Sequence, residues 1–220
     1  KAGDAIYGYP TFGGGWAEYV IVSEGEVAGK PASLSFTEAA AVPMGALTAW
    51  QALVDVAQLH AGQTILIHGG SGGVGSFAVQ IAKARGACVI ATASTENQDL
   101  LKQLGTDVPI DYTKNKFEEI AKDVDAVLDP VGKDTLARSY DVVKKGGIVM
   151  SLVARPDPAE LEKRGIRGAA ISVHPDAADL TEIARLIDEG KMKPIVTQVL
   201  SLNEAIAAQR QAATHADLSR

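Results

Sequence analysis

The sequence predicts an α/β fold in which a six-stranded parallel sheet carries helices on both faces. From Thr64 onward, short apolar runs alternate with segments of helical periodicity. The first apolar run also leads through a glycine-dense turn directly into a helical pattern. Strands that are separated by helices pair through crossover connections, which produces a parallel sheet covered on both sides.

The elements of this sheet follow from apolar runs bounded by glycine and proline. We expect strands at residues 64–68, 88–92, 108–110, 125–128, 148–153 and 169–173. We expect helices at residues 73–85, 97–104, 117–122, 134–143 and 177–188. Gly86, Gly105 and Gly190 follow helical segments, where glycine commonly ends a helix.

The turn after the first strand contains the spacing Gly70-x-Gly72-x-x-Gly75. We predict that Gly70 permits the bend, that Gly72 lets backbone N–H groups approach a pyrophosphate, and that Gly75 lets the helix pack on the strand. The helix N-terminus adds unpaired N–H groups and partial positive charge. The pattern therefore indicates a dinucleotide site on a Rossmann sheet, with a tight strand-to-helix turn as the alternative.

Bulk composition excludes several classes of partner. The chain has 220 residues, enough for one full α/β domain, and a net charge of −6, which argues against nucleic acid or an anionic membrane as partner. No apolar stretch is long enough to span a membrane. The single cysteine, Cys88, lies in an apolar run and is expected to be a buried strand thiol. We therefore expect a reducing, cytoplasmic location.

The two ends of the chain do not follow the alternating pattern. Residues 1–35 include an alternating run at 16–22 that predicts a short strand of a separate antiparallel unit. Ser35 is a candidate helix cap, with Glu38 three residues later. Another strand is expected at 196–200 and a final helix at 202–213. We divide the chain into residues 1–35, a dinucleotide-binding domain at 36–190, and a segment at 191–220.

Several local sequences occur in an order that resembles a known family. They are GDAIYG at residues 3–8, GGWAEYV at 14–20, AAAVPMGALTAW at 39–50, HGGSGGVG at 68–75 and DPVG at 129–132. Together they resemble the zinc-independent quinone oxidoreductases of the medium-chain dehydrogenase/reductase superfamily. The resemblance implies that residues 1–35 are the remnant of a GroES-like β-barrel substrate domain and that 191–220 return toward it. It also implies a truncated chain that could bind cofactor without turnover.

The resemblance implies a set of cofactor contacts. The phosphate turn would contribute Ser71, Gly72, Gly73 and Val74, the last three through pyrophosphate-binding amides. Thr48 would lie near the nicotinamide ribose, although its hydroxyl could instead bond the preceding helical turn. Other contacts would be Val131 over the nucleoside and, through backbone groups at the nicotinamide amide, Leu152 and Val153.

The choice between NADPH and NADH depends on the residues after the second strand. No acidic residue occurs there before Glu96, so a 2′-phosphate would not meet a carboxylate at the position where NAD sites place one. The hydroxyls of Ser94 and Thr95 could donate to that phosphate. NADPH is therefore favoured over NADH.

Two further positions bear on the same choice. Tyr112 resembles the family's phosphate-facing tyrosine, although a half-buried tyrosine at a strand end is the alternative. Asn97 stands where relatives usually carry a lysine, and Lys114 or Lys116 could substitute for the missing charge.

No metal site is expected. Zinc-dependent relatives need clustered cysteine and histidine ligands. This chain has one cysteine and four scattered histidines, which are His60, His68, His174 and His215.

The implied reaction is hydride transfer from NADPH to a quinone or an α,β-unsaturated carbonyl, with the protein aligning the cofactor. No residue is identified as a catalytic acid, since structural packing is the favoured role for Tyr7 and Tyr9. An enoyl-thioester reductase and a non-enzymatic NADPH-binding structural or regulatory protein remain alternatives.

The edge strand at residues 169–173, from Ala169 to Val173, predicts a homodimer. An unpaired apolar strand edge is an aggregation risk, and in relatives this edge pairs with its copy.

Overall fold

The computed structural model describes residues 1–210 of the chain. Its centre is a sheet of six strands, all of whose neighbouring pairs are parallel. A separate antiparallel pair, β1 (Ile6–Gly8) and β2 (Val27–Gly29), precedes it. The strands of the central sheet are β3 (Thr64–Ile67), β4 (Cys88–Ala93), β5 (Val108–Asp111), β6 (Val124–Asp129), β7 (Val143–Ser151) and β8 (Arg167–Ala170).

Eight α-helices lie between residues 36 and 188. Ser35 caps the first of them through a capping box with Glu38, as the sequence predicts. A single π-helical segment, Gln51–Val56, continues directly from the second. The helices are α1 (Phe36–Ala40), α2 (Pro43–Trp50), α3 (Gly75–Ala84), α4 (Gln98–Gln103), α5 (Phe117–Ile120), α6 (Lys133–Ser139), α7 (Pro158–Arg164) and α8 (Ala177–Asp188).

The strand order across the sheet is β5-β4-β3-β6-β7-β8. Numbered from the first strand of the sheet, this is the order 3-2-1-4-5-6 of a Rossmann fold. The direction of chain progression reverses between β3 and β6, which leaves a crevice at the carboxyl ends of these two strands. The predicted six-stranded parallel fold is confirmed.

Alternate residues along β3 belong to different halves of the core. Ile65 and Ile67 pack into the cluster that includes helices α2, α3 and α8. Leu66 points the opposite way, into a cluster with Phe117 and Leu136. Since successive side chains of a strand point to opposite faces, this division shows a sheet buried on both sides.

The amino-terminal segment differs from the prediction. Residues 16–22 do not form a strand, and Trp16, Tyr19 and Ile21 are exposed. An alternating pattern forms a strand only when a partner strand is available. Residues 1–35 are instead anchored by Tyr7, which is buried and donates its hydroxyl to the carbonyl oxygen of Leu180 at 2.6 Å.

Three further predictions about local structure are wrong. Cys88 is exposed, because it is the first residue of β4 and precedes the covered part of that strand. Residues 196–200 form no strand, and the described residues offer them no pairing partner. The helix predicted to end at residue 143 stops at Ser139, since β7 already begins at Val143.

The edge strand is also shifted in sequence. It covers Arg167–Ala170 rather than 169–173, and one further backbone bond joins Ile171 N–H to Ser151 O at 2.9 Å. Near the carboxyl end, Leu202–Glu204 form a 3₁₀ turn that runs into a helix through residue 210. The rest of the predicted helix 202–213 lies outside the described residues. No helix in residues 1–210 has the length and apolar character needed to cross a membrane.

Candidate cofactor site

The glycine-rich turn after β3 is built from close backbone contacts. Gly69, rather than Gly70 as predicted, adopts the left-handed conformation, with φ +58°. Gly70 is required for packing, because a Cβ there would lie 2.9 Å from the Cβ of Ala91. A Cβ on Gly75 would lie 2.1 Å from the carbonyl oxygen of Gly69, which is the close helix-to-strand packing that the sequence predicts.

The backbone amides of the turn divide into two groups. Gly72 N–H donates to Gly69 O at 2.9 Å, so this amide is used inside the turn. Within the described chain, the amides of Gly73 and Val74 donate no hydrogen bond. Helix α3 begins immediately afterwards at Gly75, and its N-terminus adds partial positive charge. Gly73 and Val74 are therefore the amides that fit a diphosphate.

A cavity of about 390 Å³ opens beside these amides. Helix α2 forms one wall and approaches the turn so closely that a Cβ on Gly45 would lie 2.5 Å from Gly73 O. The sequence analysis did not select Ala41, Met44 or Gly45 as site residues. The glycine within the α2 segment was the one signal that could have indicated a close backbone contact there. The lining residues are Ala41, Met44, Gly45, Gly69, Gly72, Gly73, Val74, Gly75 and Pro130.

Thr48 lies on α2, one turn after Met44, and is buried. Its hydroxyl donates to the carbonyl oxygen of Met44 at 2.7 Å. This is the alternative role, a hydroxyl that bonds the preceding helical turn. Contact of Thr48 with a nicotinamide ribose stays a prediction.

The carboxyl ends of β4 and β5 bring three predicted residues together. Asn97 donates from Nδ2 to Ser94 Oγ at 3.0 Å, and Ser94 donates in turn to the carboxylate of Glu96 at 3.2 Å. Tyr112 follows β5 and is joined to β4 by its amide, which donates to Ala93 O at 3.2 Å. Its side chain is 46% exposed. These residues border a common edge, where an adenosine ribose would lie.

Asp111, at the end of β5, organises the neighbouring donors and was missed by sequence reasoning. Its carboxylate accepts hydrogen bonds of 2.6 Å from the hydroxyls of both Thr95 and Thr113. Lys114 forms an ion pair with it at 3.2 Å. These partners hold the pKa of the Asp111 carboxyl well below its usual range, with the bonds from Thr113 and Thr95 contributing most. Thr95 and Lys114 are thus directed at Asp111.

The carboxyl ends of β6 and β7 form the other end of the crevice. The buried carboxylate of Asp129 accepts from the amides of Val131 at 2.9 Å and Gly132 at 3.0 Å. Burial raises the pKa of this carboxyl, and the two amide bonds oppose that rise. Leu152 N–H donates to Asp129 O at 3.0 Å. A Cβ on Gly132 would lie 2.6 Å from Val153 Cγ2, so Val153 packs beside the loop that carries Val131.

Residues of the types that bind metal ions are scattered over the described part of the chain. Between residues 1 and 210, no group of three or more histidine, cysteine, aspartate or glutamate side chains is arranged to hold a metal ion. Tyr7 is likewise an unsuitable acid, because its hydroxyl is bonded to Leu180 O and burial raises its pKa. His215 lies outside the described residues.

Known proteins share this fold and much of this sequence. Residues 104–217 match the family described as "Zinc-binding dehydrogenase". The chain is 39% identical over 206 residues to 2-methylene-furan-3-one reductase of Solanum lycopersicum, covering 89% of this chain and 50% of that protein. It is 36% identical to NADPH-dependent alkenal/one oxidoreductase, chloroplastic, of Arabidopsis thaliana, again over 89% of this chain and 50% of the relative.

A solved structure extends the comparison. The quinone oxidoreductase from Coxiella burnetii superposes with a TM-score of 0.87 and 33% identity, covering 96% of this chain and 68% of that one. The chain spans about half the length of the two plant relatives. The match to the family, the sequence relatives and the shared fold agree with the motifs quoted above. The chain belongs to the zinc-binding dehydrogenase family of the medium-chain dehydrogenase/reductase superfamily.

Proposed function

We propose that this chain is the cofactor-binding part of an oxidoreductase that transfers hydride from NADPH to an α,β-unsaturated carbonyl or a quinone without a metal. The observation that carries the proposal is that the amides of Gly73 and Val74, beside the cavity between α2 and the turn, donate no hydrogen bond within residues 1–210. The names of the two plant reductases and of the Coxiella structure support this class of acceptor.

The residues of the crevice suit the parts of a dinucleotide. Gly73 and Val74 would hold the diphosphate through their amides, at the N-terminus of α3. Ser94 and Tyr112 would border the adenosine ribose. Val131 would lie beside the nicotinamide end, where its partly exposed side chain would exclude water. When bound, the nicotinamide would supply the hydride, while the protein aligns the acceptor.

The preference for NADPH has support on both sides of the adenosine ribose. Ser94 is the first residue after β4 and is not acidic. Tyr112 presents a half-exposed phenol from the neighbouring strand. The Arabidopsis relative carries "NADPH-dependent" in its name. The carboxylate of Glu96 weakens the preference for NADPH, because it accepts a hydrogen bond from the Ser94 hydroxyl that could otherwise bind a 2′-phosphate.

A pair of glycine substitutions tests the diphosphate site. A Cβ on Gly73 meets nothing within 4 Å, so Gly73→Ala should fold normally but place a methyl group where the phosphates bind. We expect NADPH affinity to fall at least about tenfold, with Tm unchanged. Gly25→Ala is the matched control, since its surroundings are equally open. Isothermal titration calorimetry of the full-length protein measures the affinity, and differential scanning calorimetry measures Tm. Unchanged affinity in Gly73→Ala would contradict the site.

Acceptor specificity is tested on the full-length protein. NADPH oxidation should be measured with a benzoquinone, an alkenal and a crotonyl thioester. Faster turnover with the alkenal or quinone supports the proposal, whereas a clear preference for the thioester favours the enoyl reductase alternative. Tight NADPH binding without oxidation by any acceptor favours a structural or regulatory role.

The edge of the sheet supports a homodimer. In the described part of the chain, β8 pairs only with β7, so its outer edge has free backbone groups. Apart from Arg167, its exposed residues are small, namely Gly168 and Ala170. Such an edge can pair with its own copy across a two-fold axis.

A further inference from the structure

His68 is the last residue before the glycine-rich turn, and the proposed reaction makes no use of it. The imidazole is 2% exposed and meets the ring of Phe117 edge-on, with centroids 4.5 Å apart. The guanidinium of Arg138 lies 4.7 Å from the centroid of that Phe117 ring. Burial, reinforced by the positive charge of Arg138, lowers the pKa of His68 to about 3. The ring is therefore neutral near pH 7.

The hydrogen bonds around His68 determine its tautomer. Ser139 donates its only hydroxyl hydrogen to the carbonyl oxygen of Thr135, at 2.7 Å. Ser139 Oγ must then accept from His68 Nε2, which lies 3.0 Å away. A neutral ring protonated at Nε2 has a bare Nδ1, and this atom accepts from the hydroxyl of Thr92 at 3.3 Å.

The same hydroxyl of Thr92 reaches the cofactor turn. Having donated to His68, Thr92 Oγ1 accepts from the amide of Gly69 at 3.2 Å. The carbonyl oxygen of Thr92 also accepts from Gly70 N–H at 2.9 Å. Thr92 thus holds both amides at the start of the turn. Gly69 is the left-handed residue there, and its carbonyl accepts from Gly72 N–H.

We propose that His68 is a positioning residue for the cofactor turn, acting as the Nε2–H tautomer in a directed hydrogen-bond chain from Gly69 N–H through Thr92, His68 and Ser139 to Thr135 C=O. These hydrogen bonds fix the plane of the peptide bond between His68 and Gly69. That plane sets the path of the next residues, and hence the direction of the Gly73 and Val74 amides. In the other tautomer, which carries its hydrogen on Nδ1, the Nε2 lone pair would face the lone pairs of Ser139 Oγ. The series of hydrogen bonds would then be interrupted.

The tautomer is tested without cofactor. Long-range ¹H–¹⁵N correlation spectra of full-length protein labelled at histidine should show a protonated Nε2 and an unprotonated Nδ1 for His68 at pH 7. His68→Phe identifies the signal. A protonated Nδ1, or a ring protonated on both nitrogens, would overturn the proposal.

The positioning effect is tested through Thr92 and rests on the proposed dinucleotide site. Thr92→Val removes the hydroxyl at constant shape, while Thr92→Ser keeps it. We expect Thr92→Val to raise the Kd for NADPH about threefold to tenfold and Thr92→Ser to restore it. Adenosine 2′-monophosphate lacks the diphosphate, so its affinity should not change in either variant.

A matched control separates positioning from general destabilisation. Thr106 is also buried, but its hydroxyl has no hydrogen-bond partner in the described structure. Thr106→Val should therefore leave both affinities unchanged. If Thr92→Val binds NADPH like the wild type, or loses both ligands equally, the positioning role is wrong. If the wild type binds no NADPH, the proposed function fails, while the tautomer spectrum still tests His68.

Discussion

The backbone of Gly75, at the start of α3, lies directly against the carbonyl group of Gly69. A Cβ on Gly75 would be 2.1 Å from that oxygen and 2.8 Å from Gly70 Cα. Both neighbours are backbone atoms, so neither can rotate away as a side chain could. The contact brings the first turn of α3 onto the end of β3, next to Gly73 and Val74, which line the cavity.

Gly75→Ala should therefore damage both stability and binding. The added methyl group forces the turn apart, and we expect the free energy of unfolding to fall by about 2–4 kcal/mol. Urea unfolding measures this loss, and a titration measures NADPH affinity. Gly29→Ala, at a position where a Cβ meets nothing within 4 Å, controls for the glycine-to-alanine change itself. Equal stability of the two variants would contradict the close contact.

His68 makes stability depend on pH. Its folded pKa of about 3 lies below the ordinary value of 6.5, so the unfolded chain binds a proton that the folded chain excludes. The contribution of His68 is full above pH 6.5 and is lost as the pH falls toward 3. The contribution of His68 to the free energy of unfolding should fall by about 1.2 kcal/mol when the pH is lowered from 7 to 5.5.

The measurement is urea unfolding of wild type and His68→Phe at both pH values. The variant should lose this part of the pH dependence, whatever its absolute stability. His60→Gln, which removes an exposed histidine elsewhere in the chain, provides the control. If the free energy of unfolding changed equally with pH in wild type and His68→Phe, folding would not exclude a proton from His68.

Glu96 should weaken the preference for NADPH. Its carboxylate accepts the Ser94 hydroxyl and places a negative charge near the expected 2′-phosphate. We expect Glu96→Gln to lower the Kd for NADPH about threefold, with little change for NADH, since an exposed charge is partly screened by solvent. Glu162→Gln on α7 makes the same charge change away from the crevice. Equal effects on the two cofactors would refute the role of Glu96.

The proposed dimer depends on the edge of β8. Ala170 is exposed at the end of this strand, and a lysine there would introduce charge repulsion between two paired copies. We expect Ala170→Lys to shift the mass measured by light scattering from dimer to monomer while NADPH binding persists. Ala32→Lys, at another exposed position, is the control. A wild type that is monomeric at micromolar concentration would contradict the dimer.

The sequence alone predicts the central sheet because its cues are local. Alternating strand and helix lengths identify the first four strands of the sheet closely, and the Gly-rich segment marks the first crossover. The strand predicted at 148–153 instead covers Val143–Ser151 and so begins five residues earlier. The edge strand begins two residues before its predicted start, since Arg167 and Gly168 carry no apolar signal, and it ends at Ala170 instead of 173. The strand predicted at 16–22 is also absent. An alternating pattern shows that a segment could join a sheet, but it does not show that a partner strand is present.

What the sequence determined is therefore the order of strands and helices and the place of the glycine turn, through periodicity and the conformational freedom of glycine. Which donors have no partner among residues 1–210 depends on the tertiary packing. Gly72 N–H donates to Gly69 O, and Thr95 and Lys114 bind the Asp111 carboxylate. Gly73 and Val74 line the cavity, and their amides donate no hydrogen bond within residues 1–210. The Thr95–Asp111 bond joins residues that are 16 positions apart, whereas the other two pairings are local. No sequence pattern specifies any of them, because a hydrogen bond depends on the packed positions of both groups.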